Sequence, residues 1–358
     1  MKVSNQTSPT TPKNAQLASA QRDKPILGEA IDRQSGSKRQ QELIVSEPAR
    51  QRTRRRTLWI SIATCVALVI VGATVPLITH SHTMHTYSST RSTRYLGLYE
   101  RDMPSSYAGV TAFTAATGVR PNVLMYYSSW LEPFQAGFAS AAAQHGAIPL
   151  VQINPYNAPL ATIAAGGYDG YLRDYANAVR SYQRPVILSF GHEMNGNWYP
   201  WSYTHSSAAA FVATWRHIVT VFRQLHVQNV IWLWTVNIID TSGGIPSPAR
   251  WWPGNSYVTW VGIDGYYYQP SWTFASLFGP TIVAVRALTS DPILITETGA
   301  IPAYQPAKIT DLFAGVHAYG LLGFIWFNEK TDQDWRLNSP AAIAAFRQGA
   351  KTYRRPRL

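Results

Sequence analysis

Two glutamates stand where acid–base and nucleophilic chemistry could be done. Glu193 lies in "SFGHEMNGNWYPW" (189–201), among a histidine, two asparagines and bulky aromatics, directly after the apolar run "PVIL". Glu297 lies in "PILITETGA" (292–300), again after an apolar run and beside small residues. A charge at the end of a buried strand is costly unless it is solvated, paired or used. Two converging carboxyl groups can divide the work. The protonated one delivers a proton to a leaving oxygen, and the ionised one attacks carbon. Like charges and burial raise one pKa, so both forms coexist near neutral pH. Either glutamate alone reads more readily as a helix cap or an ion-pair partner. The pair carries the chemistry.

Eight short, continuous, mostly uncharged runs surround these residues: "YLGLY" (95–99), "NVLMYYSS" (122–129), "IPLVQIN" (148–154), "PVILSF" (185–190), "VIWLWTV" (230–236), "WVGIDGY" (260–266), "PILIT" (292–296) and "LLGFIWF" (321–327). Strands covered on both faces have this character. Ala-rich helical patterns separate them, and the fifth connection, around "SPARWWPG", is the weakest. Eightfold strand–helix alternation predicts an α/β fold, a (β/α)8 TIM barrel over residues 95–354, close to the ~250 residues typical of that architecture. A doubly wound open sheet is the rival, but no Gly-rich phosphate loop follows the first strand.

Barrel enzymes place their chemistry at the C-terminal strand ends. Glu193 falls just past strand four and Glu297 just past strand seven, 104 residues or three strand–helix units apart. Both then face one cleft, the arrangement that glycoside hydrolysis requires. Glu193, beside His192 and the aromatics Trp198, Tyr199 and Trp201, is the expected proton donor and general acid/base. Glu297, beside Thr296, Thr298 and Gly299, is the expected nucleophile, oriented by the Tyr266 hydroxyl at the end of strand six. Trp198, Trp201 and Trp326 are expected as platforms for sugar rings, with His192, Asn195, Tyr199 and Tyr266 completing the substrate-binding set. Asp264 reads equally as a strand-end contact or a ligand, and Asp332 and Asp334 read as loop caps.

Composition sets the remaining bounds. The chain has 358 residues, 46% hydrophobic and 14% charged, with 13 Trp and 20 Tyr. Such a balance suits stacking on flat, partly polar ligands. Of the net charge of +12, residues 1–57 hold +7 (12 basic, 5 acidic), so a nucleic-acid role for the whole chain loses its support. Residues 1–57 read as a disordered basic cytoplasmic tail. Residues 58–78, "LWISIATCVALVIVGATVPLI", are uncharged, long enough for a transmembrane helix, and preceded by Arg50, Arg52, Arg54, Arg55 and Arg56. That charge bias predicts a single-pass cell-membrane protein with an extracellular catalytic domain, or a secreted one if the segment is cleaved. Residues 79–94 form a polar linker whose His80, His82 and His85 suggest a solvated stalk, not a metal site. The single Cys65 sits inside the apolar segment, which excludes a disulfide framework beyond it. No metal and no cofactor is expected, and the chain is expected to be a monomer.

The residues now resemble a known family. "GHEMNGNWYPW" resembles the acid/base signature of glycoside hydrolase family 26, and "ITETGA" its nucleophile strand. "GIDGY" is similar to the strand-six segment and "WFNEKTDQDWRLNSP" to the strand-eight loop, so the likeness runs over about residues 95–350. It implies a retaining double displacement with Glu193 as proton donor and Glu297 as nucleophile. It also implies hydrolysis of internal β-1,4 bonds in a mannan-type polysaccharide. Mixed-linkage β-1,3-1,4-glucan and β-1,3-xylan are the alternatives within the family. A non-catalytic polysaccharide-binding barrel and a membrane scaffold built on the basic tail are the alternatives outside it. The first would be expected to lack one of the two glutamates.

Overall fold

The computed structural model describes residues 95–240 and 244–351. The expected tail (1–57), membrane span (58–78) and linker (79–94) lie outside these residues. Among the described residues no helix is long and apolar enough to cross a membrane.

Eight parallel strands close into a barrel in sequence order, β1 (Tyr95–Tyr99), β2 (Val123–Ser129), β3 (Ile148–Asn154), β4 (Val186–Phe190), β5 (Val230–Asn237), β6 (Trp260–Asp264), β7 (Ile293–Thr298) and β8 (Gly323–Phe327). β1 pairs with β8 to complete the ring. Helices α1 (Ala108–Thr117), α2 (Ala136–Gln144), α3 (Leu160–Ala164), α4 (Asp169–Tyr182), α5 (Ala208–Gln224), α6 (Phe274–Arg286), α7 (Gln305–Ala318) and α8 (Pro340–Lys351) connect them. Among its described residues the weak fifth connection holds only short 3-10 turns, Pro248–Trp251 and Asn255–Tyr257. Its Pro, Gly and clustered Trp residues offer no helical apolar stripe.

Two separate apolar clusters explain why the strands read as continuous hydrophobic runs. Leu124, Val151, Leu188, Val236, Ile263, Ile295 and Phe324 pack outward with residues from the helices. Met125, Leu150, Ile187, Leu233, Leu294, Ile325 and Phe327 form a second cluster that contains no helix residue, and so fills the lumen. Successive strand residues thus alternate between two buried environments rather than between core and water. The helices are stopped by local chemistry. α5 is capped by the Ser207 hydroxyl on the Ala210 amide, α6 by a reciprocal Thr273–Ser276 capping box, and α4 ends on Gln183 in the left-handed region.

Towards the C-terminal rim the lumen turns polar. Gln152, Ser189, Thr235 and Thr296 are all buried. Gly262 permits this layer, because a Cβ there would sit 2.5 Å from Thr296 Oγ1 and 2.6 Å from Thr235 Oγ1. The polar layer is the floor on which the rim carboxylates rest.

Candidate active site

Glu193 follows β4 and Glu297 ends β7, so both lie at the C-terminal rim. Backbone register places the intervening residues: Asn237 on β5 pairs with Asp264 on β6, and Asp264 pairs with Glu297 on β7. An irregularity aims the last of these. Ile263 pairs with Ile295, yet Asp264 pairs with Glu297, so β7 carries one extra residue, Thr296, at this point. Such a bulge re-aims side chains. Here it lets Thr296 reach the lumen while its neighbour Glu297 also faces the site.

Glu297 is held by two phenols. Tyr266 donates to Oε2 at 2.8 Å, and Tyr127, from β2, donates to Oε1 in a short hydrogen bond. Burial, and then the negative charge of Glu297, push both phenols well above the usual tyrosine range, so they remain donors. Two hydroxyl donors on one carboxylate favour its ionised form, as a nucleophile requires.

Glu193 is fully buried. Trp198 Nε1 donates to its Oε2 at 2.8 Å and Asn237 Nδ2 to its Oε1 at 2.5 Å, while its own amide donates to Thr235 O at 3.0 Å. Its backbone adopts φ 54°, a left-handed conformation uncommon for a side-chain-bearing residue and a local strain of order 1–3 kcal/mol. The turn is made possible by glycine on either side. Gly191 takes φ 55°, and Gly196 lies flat beneath Trp198, whose ring atoms would be 2.4–2.6 Å from any Cβ there. The indole can reach Glu193 only because position 196 has no side chain.

His192 links the two halves. It is buried, and desolvation pushes its pKa down to about 3, so the ring is neutral. Nδ1 lies 3.0 Å from Asn154 Oδ1 and Nε2 lies 3.0 Å from the Tyr199 hydroxyl. The acceptor at Asn154 puts the ring proton on Nδ1, leaving Nε2 to accept from Tyr199. The His192 ring packs 5.5 Å from the Tyr127 ring, whose hydroxyl is on Glu297. Tyr199 and Tyr266 each feel the charges of Glu193, Glu297 and Asp264. The three carboxylates therefore belong to one electrostatic site.

A cleft of about 580 Å³ opens beside Tyr127, the phenol that bonds Glu297, and is lined by Tyr99, Arg101, Tyr127, Asn154, Tyr156 and Glu329, among others. That volume lies within the range of ligand-binding pockets. Its walls come from the ends of β1, β2 and β3 and from the loop after β8. Sequence reasoning singled out none of these residues, nor Asn237. Their signal was the polar residue closing each apolar run, as in "YLGLY", "MYYSS" and "WTVN".

Of the residues expected to bind sugar, Tyr266 sits on Glu297 and Trp198 on Glu193, both 4% exposed or less. Tyr199 lies behind them on His192. Four expectations need correction, the first being Trp198 as a sugar platform, since its ring is 3% exposed and turned onto Glu193. Trp201 is 1% exposed, stacked on Tyr199 with centroids 4.4 Å apart, and donates to His192 O at 2.8 Å. It supports the loop from beneath and offers no face to a ligand. Trp326 is also 1% exposed and points outward, with Nε1 on Trp335 O at 3.0 Å and its ring against Phe346 of α8. Phe327, the next residue, is the one facing the lumen. Asn195 has its amide on Asn237 O at 2.9 Å and Pro246 O at 3.3 Å, and its oxygen accepts from the Asn237 amide at 2.9 Å. Its polar atoms staple the β4 loop to the end of β5 and are not aimed into the cleft. Asp334 pairs with Arg336 within its own loop, at 2.8 Å. Among the described residues no cluster of side chains suited to a metal ion occurs.

Comparison with known proteins bears on the fold and the family. Residues 167–343 match the family model described as glycosyl hydrolase family 26. Endoglucanase H of Acetivibrio thermocellus is 29% identical over 271 aligned residues, covering 71% of this chain and 30% of that protein. A mannan endo-1,4-beta-mannosidase of Bifidobacterium adolescentis is 29% identical over 108 residues, covering 30% of this chain and 11% of that protein. The chain thus spans less than a third of the length of either relative. Among solved structures, a modular endo-beta-1,4-mannanase from Cellulomonas fimi superposes with a TM-score of 0.57 at 18% identity, over 72% of this chain and 70% of that one. A GH26 beta-mannanase from Bacteroides ovatus does so with 0.54 at 16% identity, over 73% and 89%. These structures share the closed eight-stranded barrel. By the family match over residues 167–343 and by these relatives, the chain is similar to glycosyl hydrolase family 26, and the solved structures share its barrel fold.

Proposed function

We propose that this chain is a retaining endo-β-glycanase that cleaves internal β-1,4 bonds of a mannan-type polysaccharide by double displacement. The observation that carries this reading is the pair of buried rim carboxylates with unlike surroundings. Glu297, between two phenol donors, attacks the anomeric carbon. Glu193, buried near two other carboxylates, protonates the leaving oxygen and later withdraws a proton from water. As the covalent intermediate forms, the charge of Glu297 is lost, which eases the passage of Glu193 from acid to base. Asn237 and Trp198 hold the Glu193 carboxyl in place, and His192 with Tyr199 buttresses the loop that carries it. The substrate lies in the cleft beside Tyr127.

A β-glucan substrate is the second reading. It is favoured by the alignment to Endoglucanase H, which extends over far more of the chain than the mannosidase alignment does. The uncharged run 58–78 and the five arginines before it support presentation of the barrel on the outer face of a membrane. Protease treatment of intact cells tests that placement, since an exposed barrel is degraded and a cytoplasmic one is spared.

The activity test is digestion of mannan, mixed-linkage β-glucan and β-1,3-xylan by the purified full-length chain, with NMR of the first anomer formed. The β-anomer from mannan, loss of turnover in Glu297→Ala, and rescue by azide to the α-glycosyl azide are the expected results. Initial release of the α-anomer, or full turnover by Glu297→Ala, refutes the double displacement. Cleavage of β-glucan alone moves the substrate to the second reading.

A further inference from the structure

One buried carboxylate that lines the cleft has no part in the chemistry above. Glu329 follows β8, is only 4% exposed, and lines the cleft together with Tyr99 and Arg101. Arg101, from the loop after β1, forms an ion pair with Glu329 Oε1 while its own side chain is 61% exposed. Tyr99 lies close enough to feel the charges of both Glu329 and Glu297, which, after burial, push its phenol up. Tyr99 is held rigidly, stacked on Phe327 at 4.5 Å and edge-on to Tyr127 at 5.1 Å. One rigid tyrosine therefore senses both Glu329 and Glu297.

Burying a carboxylate is expensive unless it is used, and an exposed arginine repays little of that cost. As a tie between the β1 and β8 loops the pair is therefore a poor investment. As a recognition device it is well made. A carboxylate has about four acceptor sites, and the Arg101 ion pair engages one oxygen. The remainder can accept O–H donors from neighbouring hydroxyls, while the guanidinium donates to ring substituents. Glucose and mannose rings differ in the direction of one hydroxyl, so a rigid acceptor pair discriminates between them.

We propose that Glu329, with Arg101, binds the hydroxyls of a sugar ring next to the reacting one, and so sets which backbone sugar the cleft accepts. This rests on the proposed glycanase reading. The placement next to the reacting ring follows from geometry: Tyr127, which bonds Glu297, lines the same cleft as Tyr99, Arg101 and Glu329.

Kinetics of the full-length Glu329→Gln and Arg101→Met variants on the polymer that the wild type cleaves test the proposal. Arg101 is exposed, so its variant tests the pair even if Glu329→Gln folds poorly; thermal melting reports folding for both. A substrate contact predicts that KM rises by about tenfold or more while kcat falls by less than about threefold. It also predicts an unmoved acidic limb of the pH profile and a narrowed preference between mannan and β-glucan. A fall in kcat with a shifted acidic limb would make Glu329 a positioning group for Glu297 and overturn the proposal. Unchanged KM in a folded Arg101→Met would overturn it as well. A wild type inactive on all three polymers removes the parent reading, which is a distinct failure.

Discussion

Tyr266→Phe isolates one contact with Glu297, the proposed nucleophile. The Tyr266 ring lies in the lumen cluster, 4.7 Å from Trp335 and 5.8 Å from Phe327, and Phe keeps that packing. What is lost is a hydroxyl donor 2.8 Å from Glu297 Oε2; Tyr127 still serves Oε1. A hydrogen bond to a charged group contributes about 1.5–3 kcal/mol. It stabilises the carboxylate and not the carboxylic acid, so its loss raises the pKa of Glu297. At 1.36 kcal/mol per pKa unit the acidic limb of kcat/KM moves up by about 1–2 pH units. The same bond steadies Glu297 as it departs from the covalent intermediate, so removing it slows deglycosylation more than glycosylation. With an aryl glycoside carrying a good leaving group, the variant therefore shows a burst of released phenol. Its kcat falls about 10–100-fold and KM falls in step as the intermediate accumulates. Stopped-flow absorbance reads the burst, and initial rates from pH 4 to 8 read the limb. An acidic limb within 0.3 unit of the wild type (about 0.4 kcal/mol), together with no burst, would refute both the ionised nucleophile and the role of the phenol.

Trp198→Phe removes the indole donor on Glu193, so the acid holds its proton to higher pH and the basic limb of kcat/KM moves up by about one unit, read in the same profile. His192 ionises near 6.5 when unfolded but only at about 3 when folded. It therefore withdraws stability as pH falls from 6.5 towards 3, by about 1.4 kcal/mol per unit. His192→Gln flattens the stability profile in that window, as measured by chemical denaturation; parallel profiles would contradict a neutral buried ring. Glu100, hydrogen-bonded to Asn328, is pushed up to about 7 by burial. Its contribution is fully present below about 4.5 and is lost as pH rises to 7. Glu100→Gln therefore gains melting temperature over the wild type across that interval, and a constant difference would count against the shift.

The strand-by-strand architecture was legible in the residues themselves. Eight short uncharged runs, each ended by polar residues, lie within a few residues of the eight strands of the closed barrel. Their spacing alone put Glu193 and Glu297 on one rim, because a strand covered on both faces must be apolar throughout and its polar residues mark where it emerges. The weak fifth connection was equally visible in "SPARWWPG".

Orientation was decided only by the tertiary structure. Along a strand buried on both sides, nothing in the residue types tells lumen from helix layer, so Trp326 and Phe327 could not be told apart until the ring closed. Nor could composition reveal the extra residue at Thr296 that turns Glu297 inward, or the glycine turn that folds Trp198 and Trp201 under the loop instead of into the cleft. The cleft walls come from β1, β2, β3 and the β8 loop, segments separated by up to about 230 residues and adjacent only because β1 pairs with β8. Local sequence specifies which faces are apolar; which of them point at one another depends on the register and closure of the whole sheet.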